Sequence, residues 1–164
     1  MRRTRPLLAA ALVALPASVA HAQGDARTTP AAVRASVDSF FRAGIEAFNR
    51  HALPEFTAQF ADEIVMYTPT GWLRGHAAVR ARFDSTFRQF PRVRMEIDSL
   101  EVRAVGPDAA TVAFQWRVYP GGAGPAFHGV GSGAYVRRAG RWVEVLEHET
   151  VTRVDPALQQ RPPQ

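Results

Sequence analysis

The segment from Ala134 to Thr150, AYVRRAGRWVEVLEHET, restricts the fold more than any other part of the chain. It reads as two strands joined at Ala139-Gly140, since strand-forming residues flank a turn of small residues. Side chains alternate across a strand, so Trp142, Glu144, Leu146, His148 and Thr150 share one face of the second strand. A competing register, shifted by a bulge, would turn Val143, Val145 and Val151 inward with Glu147 and Glu149. Trp142 and Leu146 offer more apolar area than that set, so their face is expected inside. Glu144 and His148 then need partners, because an unpaired buried charge is costly. A carboxylate and an imidazole on the concave side of a sheet outline a polar-lined pocket.

The N-terminus follows different rules. Arg2, Arg3 and Arg5 precede an apolar run from Leu7 to Ala20, and Ala20-His21-Ala22 supplies small residues at a cleavage site. Residues 1–22 are therefore expected to be a signal peptide, cut before Gln23, and the protein to be periplasmic or secreted. The run is too short for a comfortable membrane span and no second one follows, so no membrane association is expected after its removal. Of the 20 basic residues against 15 acidic ones, the three leader arginines leave with the signal, and the mature chain is close to balanced. With no arginine patch interleaved with aromatics, nucleic acid is not an expected partner. The absence of Cys excludes disulfides, thiol chemistry and a lipid-anchored cysteine.

After a flexible stretch at 23–29, one domain is expected over residues 30–154, with a disordered Pro- and Gln-rich tail at 155–164. Thr29-Pro30 is a helix start, and Val33, Val37, Phe40, Phe41, Ile45 and Phe48 follow helical spacing to about His51. Pro54 opens a short second helix through Phe56 and Phe60, with Asp62-Glu63 at its end. Ile64–Tyr67 is a strand, Pro69-Thr70-Gly71 a turn, and Trp72–Arg74 a brief extended piece. A third helix runs from Gly75-His76 to about Phe90.

From Pro91 onward the pattern is that of strands. In the first, the apolar phase shifts between Met95/Ile97 and Leu100/Val102, which predicts a bulge near Asp98-Ser99. Ala109–Tyr119, Ala126–Arg138 and Arg141–Arg153 complete the sheet. Gly129, Gly131 and Gly133 leave one face of their strand bare, which predicts a bend or close approach of a helix or second subunit rather than a phosphate cradle. No cofactor is expected. The fold class is α+β, with helices burying Phe-rich stripes on one face of a curved sheet.

This order of elements resembles the NTF2-like superfamily, and within it the SnoaL-like (DUF4440-type) domains. The resemblance rests on Leu53-Pro54-Glu55-Phe56 through Phe60-Ala61-Asp62-Glu63-Ile64-Val65, on Gly71-Trp72-Leu73-Arg74-Gly75-His76-Ala77-Ala78-Val79-Arg80, and on Gly140-Arg141-Trp142 with His148 and Thr150 beyond it. It implies an NTF2-like cone, three N-terminal helices on a strongly curved, mainly antiparallel sheet, and a homodimer through the outer sheet face. Glu144 departs from the family, where the position two after the Trp is usually apolar. Neither the Asp and Tyr of the steroid-isomerase branch nor the Asp-Arg-Asp set of the epoxide-hydrolase branch is matched, so no catalytic residue carries over.

The candidate site therefore comes from the residues themselves. His148 and Glu144 are the candidate catalytic pair, but about 13 Å of strand separates them, so each must meet a partner from another strand. Glu96, Asp98, Tyr135 and His128 are the possible partners. Tyr67, Trp72, Glu96, Phe114, Trp116 and Tyr135 are the expected pocket lining. His76, His128 and His148 stand on distant elements without metal-ligand spacing, so no metal site is expected. The expected function is binding of a small, largely apolar molecule in the cone. The alternatives are a lyase or isomerase using His148 with an acidic partner, and a non-catalytic dimerisation module.

Overall fold

The computed structural model describes residues 29–159. The expected leader, residues 23–28 and the end of the tail at 160–164 lie outside the described residues. Helix α1 (Pro30–Asn49) begins as its sequence predicts: the Thr29 hydroxyl accepts the amide of Ala32 at 3.2 Å and Pro30 sits in the first turn. Val33, Val37, Phe41, Gly44 and Phe48 form its buried stripe. Then come α2 (Leu53–Thr57), β1 (Phe60–Thr68), β2 (Gly71–Arg74) and α3 (His76–Gln89). Asp62 and Glu63, expected at the end of a helical region, lie in β1 instead, where Glu63 pairs with Arg138. Pairing of β1 with the last strand extends the sheet past the local helical signal.

The long strands are β3 (Arg94–Gly106), β4 (Ala109–Tyr119), β5 (Phe127–Arg138) and β6 (Arg141–Val154), followed by the short α4 (Pro156–Gln159). They form one six-stranded sheet in the order β2-β1-β6-β5-β4-β3. Every neighbouring pair is antiparallel except β1 with β6. Ala139 and Gly140 both have positive φ, 48° and 81°, the backbone twist that closes a tight β5–β6 hairpin.

Several bulges interrupt the sheet, and two of them shape its interior. In β3, Ile97 pairs with Trp116 and Ser99 with Gln115, so Asp98 is the extra residue, where the apolar phase shift placed it. In β6, Glu144 pairs with Tyr135 and Leu146 with Ala134, leaving Val145 as the extra residue. This second bulge reverses the facing of the strand beyond it. Trp142 and Glu144 are buried, then Glu147 and Glu149, while Leu146 is 45% exposed and His148 and Thr150 lie outside. The expectation that Trp142, Glu144, Leu146, His148 and Thr150 share an inner face holds for the first two and fails for the rest. The strand combines both candidate registers, one on each side of Val145.

The helices pack on the concave face. Phe41 meets Phe114 with ring centroids 4.9 Å apart, and Phe56 meets Phe83 at 4.6 Å. The Trp142 indole donates to Ser36 Oγ at 2.9 Å, tying β6 to α1. Asn49, at the end of α1, exchanges two hydrogen bonds with the Met95 backbone, at 2.9 and 2.8 Å.

The close approach at the glycine strand comes from side chains of the neighbouring strands. A Cβ at Gly129, Gly131 or Gly133 would stand 2.1–2.2 Å from Trp116, Phe114 or the Glu144 carboxylate respectively. The bare face makes room for side chains of the flanking strands, not for a helix or another subunit. The tail is also corrected at its start. Asp155 accepts the Ala126 amide at 2.9 Å and meets His128 at 3.1 Å, which holds Asp155–Gln159 against the sheet.

Candidate functional site

Between α1 and the inner face of the sheet lies a partly open cavity in which the centre of a water can explore about 40 Å³. Treated as a sphere and enlarged by a water radius, that is ~180 Å³ of molecular space, enough for one ring or a short branched chain. Its walls are apolar: Phe41 and Ile45 on α1, Phe56 on α2, Phe60 on β1, Phe83 on α3 and Phe114 on β4. Gly44 adds space on the helix side, and the Gln59 amide lies over it.

The floor is acidic. Tyr135 on β5 and Glu144, Glu147 and Glu149 on β6 line it, and the three glutamates are only 5–8% exposed. They converge because the bulge at Val145 brings Glu147 and Glu149 to the face that Glu144 already occupies. Gly133 leaves the gap into which the Glu144 carboxylate folds. The Glu144 amide donates to the Gln59 carbonyl at 2.8 Å, fixing this point of β6 against the start of β1.

Each carboxyl has a different environment. Glu149 accepts from Arg82 on α3 at 2.8 Å, and the same guanidinium donates to the Met66 sulfur at 2.8 Å. Among the described residues, Glu144 Oε1 and Glu147 Oε2 are buried and have no hydrogen-bond partner. Burial pushes the Glu144 carboxyl well above its ordinary range. The neighbouring Glu147 adds to the rise, while hydrogen bonding with the Tyr135 hydroxyl opposes it. Glu147 is pushed up to about 8, chiefly by burial and then by Glu149, with Arg82 acting against both. Burial, with help from Glu144 and Glu147, also drives the Tyr135 phenol well above its usual value. At neutral pH, therefore, Glu147 holds its proton beside the Arg82–Glu149 ion pair, with Glu144 shifted in the same direction, all beneath an aromatic chamber.

Of the residues singled out from the sequence, Glu144, Phe114 and Tyr135 meet in this cavity. Among the possible partners for Glu144, Tyr135 is the one that reaches it. His148 does not enter. It lies on the outer face, its ring stacked on Tyr67 at 5.5 Å and its Nε2 3.0 Å from the Thr150 hydroxyl. Tyr67 and Trp72 pack against each other at a tilt, ring centroids 4.8 Å apart, on the same outer face, with Trp72 56% exposed. Glu96 accepts from the Tyr119 hydroxyl at 3.1 Å and pairs with Arg117 at 3.3 Å, away from the cavity. Asp98 pairs with that same arginine, at 2.6 Å. Trp116 is core, packed over Gly129.

Sequence reasoning assigned Glu147, Glu149 and Arg82 no place in the pocket. The available signal was the offset between Trp142/Glu144 and Glu147/Glu149, an odd step that only a bulge can reconcile with one face. Among the described residues, no three His, Cys, Asp or Glu side chains converge as a metal site requires.

The comparisons with known proteins agree with this architecture. The SnoaL-like domain family matches residues 41–145, and the chain belongs to that family. Its structure is similar to that of an NTF2-like protein of unknown function from Pseudomonas putida, with 20% identity, a TM-score of 0.69, and 81% of this chain and 98% of that one covered. A candidate scytalone dehydratase from Novosphingobium aromaticivorans aligns with a TM-score of 0.65 at 14% identity, over 73% of this chain and 83% of that one. A protein with a cystatin-like fold from Caulobacter vibrioides aligns with a TM-score of 0.64 at 19% identity, over 77% of this chain and 94% of that one. At such identities the solved structures establish a shared NTF2-like fold and nothing of chemistry. None of the curated proteins matches the sequence.

Proposed function

We propose that this chain binds a compact, largely apolar small molecule in the cavity between α1 and β6. The observation that carries the reading is the contrast between walls and floor. Aromatic rings enclose the space, and two buried carboxyl oxygens at its base, Glu144 Oε1 and Glu147 Oε2, lack partners among the described residues. Orphaned buried polar atoms are rare, and a ligand that hydrogen-bonds to them would relieve their cost. The test is calorimetry of the purified mature chain against one-ring compounds that differ only in their polar group. Saturable one-to-one binding, weakened at least tenfold by Glu144→Leu in a protein of unchanged circular dichroism, is expected. Absence of saturable binding across such a series would refute the reading.

A second reading, an acid–base lyase or isomerase, gains support from the same floor once His148 is set aside. Glu147, with its carboxyl near 8, stands next to the ion-paired Glu149, a pairing of environments suited to proton transfer near neutral pH. Turnover of a carbonyl or hydroxylated ligand that disappears in Glu147→Gln while binding persists would favour it.

We further infer export through the leader and association of two copies through the outer sheet face. Tyr67, Trp72, Val130 and Leu146 are exposed there, an apolar surface of the kind that two-fold partners cover. Light scattering is expected to report a dimer that Leu146→Arg converts to monomer. N-terminal sequencing of the exported chain should begin at Gln23.

A further inference from the structure

We propose that the occupant of the cavity is a compact apolar amine, held as its ammonium ion by Glu144 and Glu147 against the surrounding rings. The inference rests on the binding function proposed above and names the chemical class of the ligand. Three carboxyls face the space and, among the described residues, a single guanidinium, Arg82, approaches them. That guanidinium is already engaged by Glu149 and the Met66 sulfur. An anionic guest would find that cation already engaged and none left to balance its charge.

A neutral carbonyl acceptor has a different shortcoming. It could take a proton donor from one acid, but it brings no donor for the oxygens left unpartnered. An –NH3+ group brings three donors and no acceptor. It can satisfy Glu144 Oε1 and Glu147 Oε2 together, and both side chains are more than nine-tenths buried on the cavity floor. The walls fit the same guest. The rings of Phe41, Phe60, Phe83 and Phe114 line the space, where aromatic side chains attract a desolvated cation and pack a hydrocarbon part.

The titratable or charged groups facing Glu147 are Glu144 and Glu149 on its own strand, Tyr135 on β5 and Arg82 on α3. In the empty cavity Glu147 keeps its proton up to about pH 8. Arrival of an ammonium ion makes the carboxylate the favoured form. The protonated acid and the amine cation become an ion pair, and one proton leaves to solvent. Binding should then tighten about tenfold per pH unit between pH 6 and 7, since one proton is released per ligand. The trend should flatten as pH approaches 8.

The experiment is calorimetry of the purified mature protein with butylamine, cyclohexylamine and benzylamine, each against its alcohol analogue. The heats are measured in two buffers of different ionisation enthalpy. At least one amine is expected to bind tenfold or more tightly than its alcohol, to release close to one proton at pH 6.5, and to gain about tenfold in affinity from pH 6 to 7. Glu147→Gln, in a protein with unchanged circular dichroism, should abolish proton release and the pH trend. An alcohol that binds as tightly as its amine, with no proton released, would overturn the amine assignment and leave the binding function standing. If neither amines nor alcohols bind, both fall.

Discussion

Strands β3 and β6 both bulge within their length, at Asp98 and at Val145, yet these two bulges treat the interior in opposite ways. In β3, an edge strand, apolar side chains face α1 on both sides of Asp98: Met95 and Ile97 before it, Leu100 and Val102 after it. Asp98 itself stays at the surface with Arg117. That bulge bends the sheet and leaves the core uncharged. In β6, a central strand, acids face inward on both sides of Val145. Strict alternation would have buried Glu144 alone and sent Glu147 and Glu149 to solvent. The same backbone device is a packing feature at the sheet edge and builds a site at its centre.

Removing the extra residues should break this contrast most severely. Deleting Val145 restores alternation, drives His148 and Thr150 under the helices and strands Arg82 without Glu149. The expected cost is about 4 kcal/mol or more, enough to abolish folding in a domain of ordinary stability. Deleting Asp98 re-phases only Arg94–Ile97 at the start of an edge strand, turning Met95 outward but leaving no buried charge unpaired, and is expected to cost about half as much. Urea unfolding of both variants measures the difference. Equal costs would mean that the β6 bulge owes nothing special to the acids.

Next in size is the loss of each bulge's arginine. Arg82→Met leaves Glu149 buried without its cation, at an expected 2–4 kcal/mol, roughly the range for breaking a buried pair. Arg117→Met strips Asp98 and Glu96 of a partner at the surface, where such pairs contribute no more than about 1 kcal/mol. Thermal unfolding at pH 7 compares the two directly.

These bulges also differ in how far the sequence exposed them. The one in β3 was legible because its apolar residues change phase, and apolar residues are what a periodicity reading follows. The helix starts, the hairpin turn and the strand ends were legible for similar reasons, each resting on local chemistry such as Thr29-Pro30 or Ala139-Gly140. The β6 bulge was not. Valine, leucine and glutamate alternate on both faces from Val143 to Glu149, and area arithmetic favours burying Leu146 over an acid. What tips the balance lies elsewhere in the chain: Arg82 reaching down from α3 and Gly133 opening a gap on β5. Such long-range compensation leaves no mark within the strand itself.

The acids of β6 should also make stability depend on pH. The Glu147 carboxyl titrates near 8 when folded and near 4.5 when not. Between those values the folded state holds a proton that the unfolded state has released, so stability falls as pH rises from about 4.5 to 8 and then levels. Glu147→Gln removes that loss. The variant is expected to match the parent near pH 4 and to exceed it above pH 8 by an amount on the order of a few kcal/mol. Chemical denaturation across pH 4–9 follows the two curves. Parallel curves would show that Glu147 is solvated rather than buried.

The smallest effect belongs to His148, the residue that its strand position first put forward. It lies beyond the β6 bulge on the outer face, where its ring covers Tyr67 and its Nε2 meets the Thr150 hydroxyl. His148→Ala removes one partly solvated stacking contact and one exposed hydrogen bond, so its stability cost should stay near 0.5 kcal/mol. Ligand affinity at the cavity should not change, because the sheet separates the two faces. If dimerisation uses the outer face, the variant should weaken association instead, measured by sedimentation at micromolar concentration. A loss of cavity binding in His148→Ala would mean that β6 carries no bulge at Val145 in solution, and the contrast between the two strands would collapse with it.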